Sequence, residues 1–567
     1  MAHSGMTAGE ATKKFFALLR LDKKDVSAVY VFAILAGLVQ LAVPLGIQAI
    51  INFVLANQIS TSIVILIIMV VLAVFVNGLL QVRQLQIIEK IQQKIFVRYS
   101  FEFADRLPKL DVEKLDNYYL PEVVNRFFDT QTLQKAVEKL LLDVPIAIIQ
   151  ICFGLILLSF YHPVFIAFGA ILIFIIFFII KYTSPQGFSS SVKASDYKYA
   201  TAAWLEELAR VIKSFKYSRG TQLHMKRTDS LVQGYLQSRT SHFKILLTQY
   251  WSLVSFKLFI TAAMLIVGAI LLVDQQINIG QFIAAEIVIL TVISSVEKLI
   301  TNLDKVYDVL TSVIKLSKVT DSDIEKEGTA KLDNSKEGVS VKFNEVSFGY
   351  ENTGTVLNKI QLQIKPGQKV CIMGESGAGK STILRLLTGA FKNFSGSILI
   401  DEIPIGNYSL SSLRGATGIL LSQQDIFQGT LLENLTMGNE EIRNTDITDL
   451  AARCGLNDFI QSHPQGFDTM LDPTGKRLPS KVREDILLMR ALLGHRRLVL
   501  LEEPFNHLEK KYQNSVLEYL KKDQHSTVLL TTVDSSIAAQ CDYVLYVKNG
   551  QVLYNGTWNE IKNKIEG

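Results

Sequence analysis

Six long apolar stretches constrain the fold of this chain more than any other feature of its sequence. They cover residues 28–56, 61–82, 141–161, 163–182, 246–273 and 280–300. A helix of about 20 apolar residues crosses the hydrocarbon core of a membrane, and every one of these stretches reaches that length. Because backbone groups must be hydrogen-bonded internally in lipid, the sequence predicts six membrane-spanning helices.

The links between these spans predict how the chain is oriented. Three links are short and contain no Lys or Arg, whereas the links 83–140 and 183–245 and the N-terminal segment 1–25 are rich in both. Positive residues stay on the cytoplasmic side, so both long links and both termini are predicted to be cytoplasmic. Few Gly or Pro residues interrupt the long links, which favours two helical arms, each extending about 45 Å, over disordered loops.

The N-terminal segment and two intramembrane charges leave alternatives open. The sequence "KKFFALLRL" within residues 1–25 favours a short amphipathic helix on the membrane surface, and a frayed tail is the alternative. Lys257 and Glu286 lie within predicted spans, where ionisable residues are candidates for a functional site. They lie 16 and about 6 residues from the outer ends of their spans, so we do not expect them to pair within one chain. Snorkelling or a water-filled cavity is the alternative explanation.

After a membrane domain at 26–318 and a polar linker at 319–337, residues 338–567 have the composition of a soluble α/β domain. Its segment 374–381, "GESGAGKS", fits the phosphate-loop pattern G-x-x-x-x-G-K-[ST] between a predicted strand and a predicted helix. In this pattern the glycines let backbone amides approach phosphate oxygens, Lys380 reaches the outer phosphates and Ser381 ligates Mg²⁺. The predicted nucleotide contacts are Gly374, Glu375, Ser376, Gly377, Ala378, Gly379, Lys380, Ser381 and Thr382.

A second motif, which is acidic, also supports ATP chemistry. The apolar strand "RRLVLLEEP" ends in Glu502 and Glu503. A carboxylate at the first position would hold the Mg²⁺ ion, and the second would orient the attacking water as general base.

The net charge of +5 is small for 567 residues and gives no reason to expect a nucleic acid partner.

Taken together, the spans, arms and C-terminal nucleotide-binding domain resemble a half-transporter of the ABC exporter superfamily, closest to its type I secretion and bacteriocin exporters. This resemblance implies an α-helical membrane domain of six transmembrane helices followed by an α/β P-loop ATP-binding cassette domain. It also implies ATP and Mg²⁺ as cofactors and a homodimer, or a heterodimer with another half-transporter, in the lipid bilayer of a bacterial inner membrane. The transported substrate stays unknown, with a peptide or protein as one possibility.

The same resemblance assigns further residues. Tyr350 corresponds to the aromatic residue that stacks on adenine. Gln423, or its neighbour Gln424, corresponds to the glutamine that contacts Mg²⁺, which gives a metal set of Ser381, Gln423 and Glu502 with Glu503 as the catalytic residue.

The family pattern also fails at several positions. The family's LSGGQ signature aligns with "LPSKV", so Pro479 replaces a phosphate-binding serine, while Ser480 and Lys481 replace two glycines. Lys481 would either supply compensating charge to a phosphate or be a solvated surface residue. Val533 replaces the switch histidine, and Glu502 replaces an aspartate. Both faces of the domain are altered, so no dimer containing this chain would have a complete ATPase site.

These observations predict an ATP-binding subunit of an exporter that hydrolyses ATP weakly, and they leave its status as an enzyme open. The alternative is a nucleotide-sensing regulatory or scaffolding membrane protein that does not itself pump.

Overall fold

The computed structural model of the chain describes residues 6–56, 61–111, 113, 120–218, 220–333, 337–351, 354–422 and 424–566. The chain divides into two compact units. The first comprises Met1–Leu110 and Asn117–Ile324, and the second comprises Asp111–Asp116 and Glu325–Gly567.

The first unit is helical. Its helices are α1 (Ala8–Leu21), α2 (Lys23–Gln40), α3 (Ala42–Leu55), α4 (Thr61–Arg106), α5 (Leu120–Asn125), α6 (Asp129–Tyr161), α7 (Val164–Arg210), α8 (Ile212–Tyr217), α9 (Leu223–Val273), α10 (Ile279–Thr301) and α11 (Leu303–Thr320). Within the described ranges, six segments are long and apolar enough to cross a membrane, in agreement with the six predicted spans. The long helices α4, α7 and α9 continue far beyond their apolar parts, as the helical arms predicted for the two long links require.

The first span is interrupted at Leu41, between α2 and α3. Pro44 lies in the first turn of α3. It has no N–H to donate to the carbonyl of Gln40, one turn earlier, and its ring crowds that carbonyl. The interruption therefore has a local cause in the sequence.

Helix α1 is amphipathic, as predicted, but its apolar face is covered by protein. Phe15 and Leu19 are buried in a cluster with residues of α4 and α11, including Ile95 and Leu316. Lys14 donates a hydrogen bond to Ser317 of α11 at 3.3 Å. The face that the sequence suggested would lie on the membrane is thus used in helix packing.

Lys257 and Glu286 do not pair with each other in this structure. The ammonium of Lys257 in α9 donates to the carboxylate of Glu297 in α10 at 2.6 Å. Glu297 falls inside the predicted sixth span, and the sequence analysis did not single it out. Its pairing explains how a lysine is tolerated in a membrane-spanning helix.

The second unit is an α/β domain with two main sheets. Its strands are β1 (Val341–Phe348), β2 (Leu357–Ile364), β3 (Lys369–Met373), β4 (Ser395–Ile400), β5 (Ile403–Pro404), β6 (Thr417–Leu420), β7 (Gly429–Thr430), β8 (Met470–Leu471), β9 (Leu498–Leu501), β10 (Thr527–Thr531), β11 (Tyr543–Lys548) and β12 (Gln551–Gly556). Its helices are α12 (Lys380–Leu387), α13 (Leu410–Gly415), α14 (Leu431–Thr436), α15 (Asn444–Cys454), α16 (Asn457–Ser462), α17 (Ser480–Leu492), α18 (Lys510–Lys522), α19 (Ser535–Ala538) and α20 (Trp558–Glu566).

The larger sheet has the strand order β12-β11-β3-β10-β9-β6, and the smaller one has the order β2-β1-β4-β5. Strands β11, β3, β10, β9 and β6 are parallel to one another. Each is short and almost wholly apolar, which is typical of parallel strands buried on both faces. Their carboxyl ends therefore lie along one edge of the sheet, where ligands bind in open α/β folds.

The predicted linker at 319–337 is shorter in the structure. Helix α11 runs to Thr320, and the main segment of the second unit begins at Glu325. Arg414 holds the carboxylate of Glu325 through two hydrogen bonds of 2.6 and 2.7 Å, and Leu332 is buried. Polar composition suggested a free linker, but these side chains attach its second half to the α/β unit.

Candidate nucleotide-binding site

The phosphate loop connects the end of β3 to the start of α12, as the sequence predicts. Gly374 has φ +147°, and a Cβ there would lie 2.0 Å from the carbonyl oxygen of Val547. Gly379 has φ +101°, and a Cβ there would lie 2.5 Å from the side chain of Leu357. Backbone conformation and space both require glycine at these two positions, so the shape of the loop accounts for both glycines.

The loop presents donors suited to an anion. Among the described residues, the backbone amides of Gly377, Gly379 and Ser381 have no hydrogen-bond partner. Lys380 is 7% exposed, and its ammonium donates to the carbonyls of Gly374 and Glu375 at 2.8 Å each. Free amides at a helix N-terminus next to a buried ammonium fit the phosphate groups of a nucleotide.

Tyr350 lies beside this loop. Its ring packs edge-on against Phe348 and Phe391, with ring centres 5.0 and 5.6 Å away. Its hydroxyl is 3.3 Å from that of Thr382 and accepts a hydrogen bond from Arg385 at 3.4 Å. The structure thus brings Tyr350, the predicted adenine-stacking residue, next to the helix that follows the phosphate loop. No sequence motif predicted the hydrogen bond between Arg385 and Tyr350.

The two predicted carboxylates follow β9 at the same sheet edge. Glu502 accepts a hydrogen bond from the backbone amide of Ser422 at 2.8 Å, which ties β9 to the segment after β6. Glu503 is exposed and has φ +47°. Its carboxylate accepts a hydrogen bond from the side-chain amide of Asn506 at 2.6 Å. A positive φ at a residue with a side chain carries backbone strain, as is often seen at functional sites.

The segment after β6 carries the two candidate glutamines. Gln423 lies outside the described residues. The side-chain oxygen of Gln424 accepts from the backbone amide of Leu421 at 3.4 Å. In this conformation Gln424 is engaged with its own turn.

The signature segment begins helix α17 without a side-chain cap. Pro479 is the N-cap residue and supplies neither a hydroxyl nor an N–H. The ammonium of Lys481 donates to Glu509 at 2.8 Å and lies 5.3 Å from the ring centre of Tyr512. This ion pair with Glu509 raises the pKa of Lys481 above its usual value. The structure thus differs from both alternatives that the sequence offered for Lys481, because its ammonium forms an ion pair with Glu509 of the same chain.

Val533 follows β10, the strand between β3 and β9. It is 68% exposed, so it is not part of the apolar core. Its exposed apolar side chain lies at the sheet edge where the phosphate loop and Glu502 also lie.

Comparison with known proteins decides the family. Residues 357–506 match the sequence model described as "ABC transporter", and residues 26–296 match the one described as "ABC transporter transmembrane region". The chain belongs to the ABC transporter family. In this ABC transporter, the membrane domain and the ATP-binding domain are fused in one chain, as the resemblance implied.

Several curated transporters are similar to part of this ABC transporter. The ATP-dependent lipid A-core flippase of Saccharophagus degradans is 33% identical over 222 residues, which cover 38% of this chain and 37% of the flippase. The mitochondrial iron-sulfur clusters transporter ATM1 of Candida albicans is 31% identical over 227 residues, which cover 40% of this chain and 30% of that protein. The matches thus span well under half of the length of these relatives.

A solved structure described as a bacterial Atm1-family ABC exporter with ATP bound has the same fold. The superposition covers 96% of both chains with a TM-score of 0.86 and 19% sequence identity. The six-helix membrane domain followed by an α/β ATP-binding domain is therefore the fold of an ABC exporter.

Helix α17 of the transporter also holds a buried acid that the sequence analysis missed. Asp485 is 2% exposed, and its Oδ1 atom has no hydrogen-bond partner among the described residues. Burial raises the pKa of Asp485 from 3.8 to about 7, although the positive charge of Lys481 opposes this shift. No motif marks Asp485, because its burial results from how α17 packs.

We expect Asp485→Asn to stabilise the transporter at alkaline pH. The folded state binds the proton of Asp485 more tightly than the unfolded state, so this residue lowers stability as pH rises from about 4 to about 7. At pH 8 the asparagine variant should gain about 4 kcal/mol in the free energy of unfolding, and little at pH 4. Thermal unfolding midpoints of the solubilised full chain at the two pH values measure the difference. Glu484→Gln is the matched control, and an equal gain at both pH values would contradict the assignment.

Proposed function

We propose that this chain is the ATP-binding subunit of an ABC-type exporter that binds ATP–Mg and hydrolyses it slowly. It would act in a multi-pass membrane assembly, with its ATP-binding domain in the cytoplasm of a bacterium and its spans in the inner membrane. The chain would dimerise with itself or with a second half-transporter. Relatives named as a lipid A-core flippase and as an iron-sulfur clusters transporter support transport as the activity, without identifying the substrate.

The convergence of four parallel strands carries this proposal. The phosphate loop follows β3, Glu502 and Glu503 follow β9, Val533 follows β10, and the glutamine segment follows β6. These strands are neighbours in one sheet and point the same way. A nucleotide at their common edge would be in reach of all four segments.

The residues fit an ATP–Mg complex. The free amides of the loop and the ammonium of Lys380 suit phosphate oxygens, and Tyr350 offers an aromatic face for adenine. Ser381, Gln423 and Glu502 are the oxygen donors that we assign to Mg²⁺, which prefers such ligands. When bound, Mg²⁺ would neutralise charge on the phosphates.

Slow hydrolysis follows from the altered residues. In a homodimer each site would use LPSKV from one chain and Val533 from the other. Removing one positioned donor typically lowers a rate by about 10²–10³-fold. The two losses need not multiply, because residues that act together are not additive. Lys481 does not replace the lost donors in this conformation, since Glu509 already holds its ammonium.

ATP binding and phosphate release by the full chain in lipid nanodiscs test the proposal. We expect a fluorescent ATP analogue with Mg²⁺ to bind, while phosphate is released far more slowly than about 1 s⁻¹. Glu503→Gln should leave binding intact and lower the release rate less than about tenfold, because other steps already limit hydrolysis. A turnover of several per second that Glu503→Gln abolishes would contradict slow hydrolysis. Absence of nucleotide binding would contradict the whole assignment.

A further inference from the structure

Three aromatic rings meet beside α12, the helix that follows the phosphate loop. Phe348 ends β1, Tyr350 follows two residues later, and Phe391 lies beyond the end of α12. Their ring centres are 5.0, 5.5 and 5.6 Å apart, and every pair of rings is edge-on. Phe348 and Phe391 are buried, whereas Tyr350 is half-buried. The two buried rings therefore restrict the orientation of the Tyr350 ring.

The hydroxyl of Tyr350 is held by α12 itself. It lies 3.3 Å from the Oγ1 atom of Thr382 and accepts a hydrogen bond from the guanidinium of Arg385 at 3.4 Å. Thr382 and Arg385 are three residues apart, so they lie on the same face of the helix. The first turn of this helix also carries Lys380 and Ser381 of the phosphate-binding pattern. One helix therefore sets the position of the aromatic ring relative to the phosphate loop.

Arg385 lies outside the phosphate-loop pattern and is only half-buried, so the apolar core does not depend on it. Among the described residues, the one side-chain hydrogen bond of its guanidinium goes to the hydroxyl of Tyr350. A side chain that is already fixed before a ligand arrives loses less conformational freedom when the ligand binds. The contact between Arg385 and Tyr350 therefore matters most for a ligand that packs against the ring.

We propose that Arg385 is a positioning residue for recognition of the nucleotide base, because its hydrogen bond fixes the ring of Tyr350 in the orientation that stacks on adenine. A ligand with an aromatic base gains affinity from this arrangement, whereas a polyphosphate without a base contacts the phosphate loop alone. The inference rests on the proposed binding of ATP and adds a residue that determines how much the base contributes to affinity.

Displacement of a ribose-labelled fluorescent ATP analogue from the full chain in nanodiscs tests this inference, with ATP and inorganic tripolyphosphate as the two competitors in the presence of Mg²⁺. We expect Arg385→Met to weaken ATP by about three- to tenfold, the cost of ordering one freed side chain. Tripolyphosphate should change by less than about twofold, because salt screens the lost charge. Arg385→Gln, which keeps an N–H donor, should retain most of the ATP affinity. Arg443→Met, which removes an exposed arginine of the same domain, should match the wild type for both competitors.

A double-mutant cycle shows whether Arg385 acts through the hydroxyl of Tyr350. Tyr350→Phe keeps the ring and removes the hydroxyl, so it should weaken ATP by a factor similar to that of Arg385→Met. Combining the two changes should cause no further loss, because both remove the same hydrogen bond. The cycle also cancels any effect of the arginine charge on the phosphates, since that effect is the same in both backgrounds.

Three outcomes would overturn this inference alone. Equal ATP affinity of wild type and Arg385→Met would show that the ring needs no such contact. Equal losses for ATP and tripolyphosphate would show that Arg385 acts on the phosphate loop, and additive losses in the cycle would show that it acts independently of the hydroxyl. Absence of analogue binding to the wild type would overturn the proposed function as well, so the two failures are distinguishable.

Discussion

Restoring the family's residues should raise ATP hydrolysis by this chain at least about 100-fold. The variant combines Pro479→Ser, Ser480→Gly, Lys481→Gly and Val533→His. The serine returns a hydroxyl and an N–H, the glycines let the backbone approach a phosphate, and the histidine returns a polar group at the end of β10. In a homodimer each site gains all of these changes, because each site draws on both chains. Phosphate release by the full chain in nanodiscs measures the effect.

Two controls separate catalysis from structural effects in the restored chain. Glu503→Gln in the restored background should abolish the gain, since hydrolysis then depends on the general base. Glu509→Gln in the wild type should leave hydrolysis slow, which would show that freeing Lys481 alone does not restore it. Two glycines in the first turn of α17 each cost about 1 kcal/mol of helix stability, so unfolding midpoints must be compared as well. A restored chain that binds ATP yet hydrolyses no faster would refute our account of the altered residues.

Lys380→Ala should weaken binding of ATP–Mg by about 100-fold. The ammonium of Lys380 is buried against two loop carbonyls and is the one side-chain cation that the phosphate-loop pattern supplies. A hydrogen bond from a charged group contributes about 1.5–3 kcal/mol, and loss of one such contact to phosphate accounts for the expected change. Titration with a fluorescent ATP analogue measures the affinity.

Lys365→Ala is the matched control, because Lys365 is an exposed lysine of the same domain that lies outside the loop. It should bind the ATP analogue like the wild type. Unfolding midpoints without nucleotide should show whether Lys380→Ala disturbs the loop itself. Unchanged affinity in a folded Lys380→Ala chain would show that the nucleotide does not bind at this loop.

The sequence predicted the parts of this protein that depend on local pattern. Six apolar spans, continuous helical arms and a phosphate loop between a strand and a helix all follow from periodicity and residue spacing. The meeting of the loop with Glu502 and Val533 at one edge was implied by the family resemblance, and it requires the strand order that the structure supplies.

What the sequence did not predict are contacts between residues distant along the chain. Lys257 and Glu297 are 40 residues apart, Lys481 and Glu509 are 28 apart, and no spacing rule relates them. The amphipathic pattern of α1 correctly predicted a helix, but the structure packs its apolar face against other helices. An amphipathic pattern does not specify whether lipid or protein covers the apolar face. Burial of Asp485 likewise depends on tertiary packing.

The break at Leu41 gives the two halves of the first span different neighbours. The inner half, α2, packs mainly against α4 and α6, whereas the outer half, α3, packs mainly against α10 and α4. The inner half is therefore joined to the second and third spans, and the outer half is joined to the second and sixth.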